Sequence, residues 1–109
     1  MTDFIQVQTT TARQDEAQQI AQLLVERRLA ACVQVHGPII SLYRWEGAVE
    51  KDQEWQCTAK TTRDLFPAVE QAIREMHPYD VPEIVAVPIV VGSEDYLKWL
   101  GEMTAGPND

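Results

Sequence analysis

The sequence predicts an α+β domain of order β-α-β-β-α-β with one helix appended, and three observations carry that prediction. Two segments repeat apolar residues at helical spacing: Ala17, Ile20, Ala21 and Leu24 in one, Leu65, Val69, Ile73 and Met76 in the other. Each helical segment follows a β-prone stretch, from Phe4 and from Ala48, and a third such stretch, nearly all apolar, runs from Ile84 to Val91. Between the two helices, two long strand-like segments meet at Trp45-Glu46-Gly47, the signature of a hairpin.

Phe4 to Thr10 alternates apolar residues with glutamines and threonines and reads as the first strand. From Arg13 the period changes to that of an amphipathic helix, whose apolar stripe continues through Val25 and Arg28. Asp15 and Glu16 suit its positive end, Arg27 and Arg28 its negative one. Cys32 to His36 and Ile39 to Trp45 form the first hairpin arm, with Gly37-Pro38 marking a bend or bulge. Ala48 to Thr61 returns as its partner, presenting Trp55, Cys57 and Ala59 on one face and Gln56, Thr58 and Lys60 on the other. These arms exceed the usual strand of about five or six residues. The tip should therefore project, and Tyr43, Trp45 and Trp55 then need a cover, for which a second copy of the chain is the economical candidate.

Thr61 and Thr62 are suited to cap the second helix, with Asp64 in its first turn and Pro67 near its start. That helix ends near Met76, because His77-Pro78-Tyr79-Asp80-Val81-Pro82-Glu83 holds two prolines that no helix accommodates. This stretch is a rigid joint carrying four groups with hydrogen-bonding or ligating capacity. The run from Ile84 is apolar on both parities and predicts an inner strand, interrupted at Pro88. Ser93 caps a short last helix with Tyr96, Leu97, Trp99, Leu100 and Met103 on its apolar face, and 104–109 reads as a polar, frayed tail. Two βα units joined by a hairpin build a four-stranded antiparallel sheet, the split-βαβ or ferredoxin-like plan. One domain over 1–109, with its core at about 4–103, accounts for the length, and no internal repeat or linker interrupts it.

The formal net charge of −8 repels a phosphate backbone, which excludes nucleic acid as an expected partner, and an acidic surface suits cations. No run reaches the roughly 18 apolar residues that span a bilayer. The start, Met-Thr-Asp-Phe-Ile-Gln-Val, lacks the basic and apolar regions of a secretory leader, so a cytoplasmic protein without membrane contact is expected. Cys32 and Cys57 have no CxxC spacing and read as buried, reduced thiols.

Several local patterns coincide with one family. Leu29-Ala30-Ala31-Cys32-Val33, Ser41-Leu42-Tyr43-Arg44-Trp45-Glu46-Gly47, Lys60-Thr61-Thr62, His77-Pro78-Tyr79 with Pro82-Glu83-Ile84, and Tyr96-Leu97-x-Trp99-Leu100 resemble the CutA family of divalent-cation tolerance proteins. The match runs from about Phe4 to Met103, in order and at the right spacings. The resemblance implies a ferredoxin-like subunit in a tight homotrimer whose hairpins extend neighbouring sheets, similar to PII signalling proteins, which bind effectors between subunits. It also implies an association with copper and other divalent cations, copper binding in some members, and acetylcholinesterase anchoring in animals. It implies no reaction.

The copper-binding members carry a cysteine at the end of the first strand and two adjacent histidines before Pro-Tyr; these positions hold Thr9 and Met76-His77 here. His77 is therefore the first metal candidate, with Glu83 and Asp80 as helpers and Met76 as a soft thioether donor. Against this, Met76 completes an apolar stripe, and a helix-terminal histidine also serves by bonding the last carbonyls. Lys60 and Tyr79 are candidates to line a cleft, where they would hold a small anion; the alternative for Lys60 and Glu83 is a structural ion pair. Tyr43, Trp45 and Trp55 are expected at a trimer interface. His36, before the bend, reads as a surface residue. No Gly-x-Ser-x-Gly, phosphate loop or His-Glu-x-x-His is present, so no enzyme is expected. The leading expectation is a homotrimer that binds divalent cations, Cu(II) foremost, with no cofactor required. The alternative is a PII-like sensor or scaffold that binds a small effector or partner protein at clefts between subunits.

Overall fold

The computed structural model describes residues 3–105. Its elements are β1 (Phe4–Thr11), α1 (Gln14–Glu26), β2 (Cys32–Trp45), β3 (Ala48–Thr62), a single 3-10 turn (Arg63–Leu65), α2 (Phe66–Met76), β4 (Val85–Pro88) and α3 (Glu94–Met103). The strands form one antiparallel sheet of order β2-β3-β1-β4, so the α+β, ferredoxin-like prediction holds.

The core lies between one sheet face and helices α1 and α2. Val7 of β1 and Cys57 and Ala59 of β3 alternate onto that face and meet Ala17, Ile20 and Leu24 from α1 and Val69 and Ile73 from α2. Leu65 and Met76, at the ends of the α2 stripe, are half-buried against the same cluster. Lys60 belongs to the opposite parity and its ammonium stands 5.6 Å over the Tyr96 ring, which places α3 on the other face of the sheet. Ser93 caps α3 as predicted, its hydroxyl accepting from the Tyr96 N–H.

The hairpin of β2 and β3 pairs Cys32 with Lys60 at its base and Trp45 with Ala48 at its tip, with a shift in register between His36 and Ile39. The bulge falls where Gly37-Pro38 predicted it. The hairpin stretches the molecule to 47 Å along one axis against 26 and 21 Å along the others. Tyr43 and Trp45 are exposed on it as expected. Trp55 is not: it is half-buried against the core, next to Gly37.

Other expectations require correction. The run from Ile84 does not make an inner strand. Among the described residues only Val85–Pro88 of this run pairs, and it pairs with β1 alone; Val85, Val87, Val90 and Val91 stay exposed. Its two-sided apolar character thus marks an uncovered edge in the single chain. Neither Thr61 nor Thr62 caps a helix: the Thr61 hydroxyl donates to the Leu29 carbonyl at 2.6 Å, tying β3 to the loop after α1. Val25 faces solvent, while Leu23 packs on the core. Cys32 is half-buried rather than enclosed, and neither thiol is paired. Thr104 is buried and bonds the Leu100 carbonyl, so the frayed tail does not begin there; 106–109 lie outside the described residues.

Candidate functional site

The prolines in the joint after α2 end the helix, and the backbone N–H of His77 closes it on the Ile73 carbonyl. Beyond Gln8, β4 no longer accompanies β1, which leaves the last residues of β1 with a free edge. The joint packs there. The His77 ring is buried, with Nε2 at 2.6 Å from the Thr10 carbonyl and Nδ1 accepting from the Tyr79 N–H at 3.2 Å. The helix-end reading of His77 is thereby corrected: its ring bonds β1 and not the last carbonyls of α2.

Tyr79 carries the corner on toward the hairpin. Its ring lies 4.6 Å from that of His77, and its hydroxyl donates to Glu54 Oε2 at 3.1 Å. Burial, followed by the hydrogen bond to the Glu54 carboxylate, pushes the Tyr79 phenol well above its ordinary range, so it remains a donor. A second phenol–carboxylate pair stands beside it: Tyr43 donates to Asp52, and that bond raises the Tyr43 phenol to about 12.

The two phenol–carboxylate pairs line a groove of about 790 Å³ between the hairpin and the joint, which collects Asp52, Glu54, Asp80 and Glu83; His77 is not part of its lining. Trp45 and Ile40 give it an apolar wall. This volume is far more than one ion fills. Among the described residues no lysine or arginine lines it.

The predicted site residues are only partly brought together. Tyr79, Asp80 and Glu83 share the groove. Lys60 does not; it pairs opposite Cys32 near the base of the hairpin and lies over Tyr96. Asp52 and Glu54 are the residues that sequence reasoning missed. On a strand they look like ordinary solvent-facing acids, yet Glu54 is buried and is bonded by Tyr79, 25 positions later.

The copper-type ligand set fits poorly. Both His77 nitrogens are engaged, Met76 packs on the core, and Thr9 is buried among core residues with a hydroxyl that meets no partner. Among the described residues no three His, Cys, Asp or Glu side chains stand close enough to hold an ion.

The CutA1 divalent ion tolerance protein family matches residues 5–103. The chain belongs to this family. The divalent-cation tolerance protein CutA of Thermus thermophilus is 47% identical over 95 residues, which cover 87% of this chain and 92% of that protein. Human protein CutA is 39% identical over 100 residues, 92% of this chain but only 56% of the human one. Among solved structures, the Thermus thermophilus protein superposes with a TM-score of 0.89 at 45% identity, covering 96% of this chain and 100% of its own. CutA1 of Oryza sativa gives 0.92 at 36% identity over 94% of each chain. The resemblance read from the Leu29–Val33 and Ser41–Gly47 patterns is thus shown. A plant relative is described as chloroplastic and an archaeal structure as periplasmic, so membership does not specify a compartment. No helix among the described residues is long and apolar enough to cross a membrane.

Proposed function

We propose that the chain acts as a homotrimer that binds divalent cations through carboxylate oxygens of the acidic groove, and that it contributes to metal tolerance without catalysing a reaction. One observation carries this reading: Asp52, Glu54, Asp80 and Glu83 converge on one groove, yet the described residues of a single chain assemble no three-ligand set. Ligands from a second copy would complete it. The relatives' designation as divalent-cation tolerance proteins supports the cation, and the uncovered β4 edge with the exposed Tyr43 and Trp45 supports the assembly. Oxygen donors favour Mn(II), Mg(II) or Ca(II), and accept Cu(II) more readily than Cu(I), which seeks sulfur. Two unpaired thiols suit a reducing compartment such as the cytoplasm. The effector reading gains no support for an anion, because the charged residues that line the groove are all carboxylates and Lys60 stands elsewhere.

Light scattering on the eluted protein and calorimetric titration with Mn(II) and Cu(II) test both halves. The expected mass is near three times the 12.4 kDa of one chain, and Glu83→Gln with Asp80→Asn should weaken cation binding about tenfold or more. A stable monomer, or equal affinity in the variant, would sink the corresponding half.

A further inference from the structure

We infer that His77 is a positioning residue that pins the joint to β1 and so sets Tyr79 against Glu54, and that it is not a metal ligand. The proton inventory fixes its form. The Tyr79 N–H points at Nδ1, so Nδ1 must offer a lone pair, and the single ring proton of a neutral imidazole then sits on Nε2. That proton is directed at the Thr10 carbonyl, 2.6 Å away, an oxygen which can only accept. The ring is therefore a two-ended bridge with no lone pair left over.

Its placement gives the bridge its effect. Thr10 lies where β1 has lost β4 as a neighbour, so the His77 bond uses a main-chain acceptor on that free edge. The other end of the ring holds the backbone of Tyr79, whose hydroxyl, at the far end of the same residue, reaches Glu54. From Thr10 through His77 and Tyr79 to Glu54, a continuous chain of hydrogen bonds joins β1 to β3 by way of the corner. A metal ion would have to displace one of the two ring bonds and leave either the buried Thr10 carbonyl or the part-buried Tyr79 N–H without its partner. The assignment of His77 stands whether or not the groove binds a cation.

Two isosteric substitutions separate the ends of the bridge. The Oδ1 of His77→Asn can replace Nδ1 as acceptor, whereas the Nε2 of His77→Gln can replace the donor to Thr10 but leaves Tyr79 N–H unpaired. Amide hydrogen exchange of Tyr79 should speed up by about tenfold in His77→Ala and His77→Gln, the loss of one hydrogen bond, and return close to wild type in His77→Asn. Core amides such as those of Val7 and Ile73 should keep their protection in all three. Nitrogen-15 spectra of the wild-type ring give a readout that needs no variant: a protonated Nε2 with an unprotonated Nδ1, unchanged on adding Zn(II). A shift of either ring nitrogen on stoichiometric Zn(II), a proton on Nδ1, or an unaltered Tyr79 exchange rate in His77→Ala would overturn the assignment.

Discussion

The Tyr79 hydroxyl donates to the Glu54 carboxylate across the gap between the joint after α2 and the hairpin, at 3.1 Å. Glu54 is only 8% exposed, so most of its hydration has been replaced by this contact and its neighbours. Tyr79→Phe removes the donor and leaves a largely buried carboxylate. The expected loss is about 1 to 3 kcal/mol in urea unfolding. Adding Glu54→Gln removes the charge and should recover part of that loss, because the orphaned group is then neutral. Additive effects of the two substitutions would show that the pair is not coupled.

Gly37 admits no side chain. A Cβ built there would stand 2.7 Å from Trp55 Cδ1 and 3.0 Å from the Glu54 carbonyl oxygen, the second of which belongs to the paired partner strand and cannot rotate away. Gly37→Ala should therefore cost about 1 to 3 kcal/mol, as overpacking does elsewhere, and should change the environment of Trp55. Unfolding midpoints and tryptophan fluorescence check this. An alanine variant with wild-type stability and emission would show that the bulge yields freely.

Cys57 makes the fold sensitive to alkali. Burial beneath α1 raises its thiol from an ordinary 9.0 to about 11. The folded state thus holds this proton more tightly than the unfolded chain does. The corresponding stability is fully present below about pH 9 and is lost as the pH rises through about 11, with a total of about 2 to 3 kcal/mol. Tyr43 and Tyr79, both raised, act with the same sign at higher pH. Melting temperature should fall between pH 9 and 11, and less steeply in Cys57→Ser, whose hydroxyl can still donate to the Ala17 carbonyl that the thiol now meets at 3.3 Å. Parallel curves for the two proteins would contradict this account.

What the sequence determined by itself is the set of elements and their order. The stripes at Ile20 and Leu24 and at Val69 and Ile73 specify two helices, because a side-chain period of 3.6 is a local property of the backbone. Gly37-Pro38 located the bulge, the prolines of the joint located the end of α2, and the local patterns around Cys32, Trp45 and His77 sufficed to indicate the family. Only the tertiary structure decided who meets whom. His77 and Thr10 lie 67 positions apart and Tyr79 and Glu54 lie 25 apart, distances over which no periodicity carries information. The role of His77 changed for that reason, from a free ligand to a bridge whose two nitrogens are both committed. β4 is the reverse case: its apolar residues were legible, but whether they would be covered depended on which strands flank them, and among the described residues of the chain only β1 does.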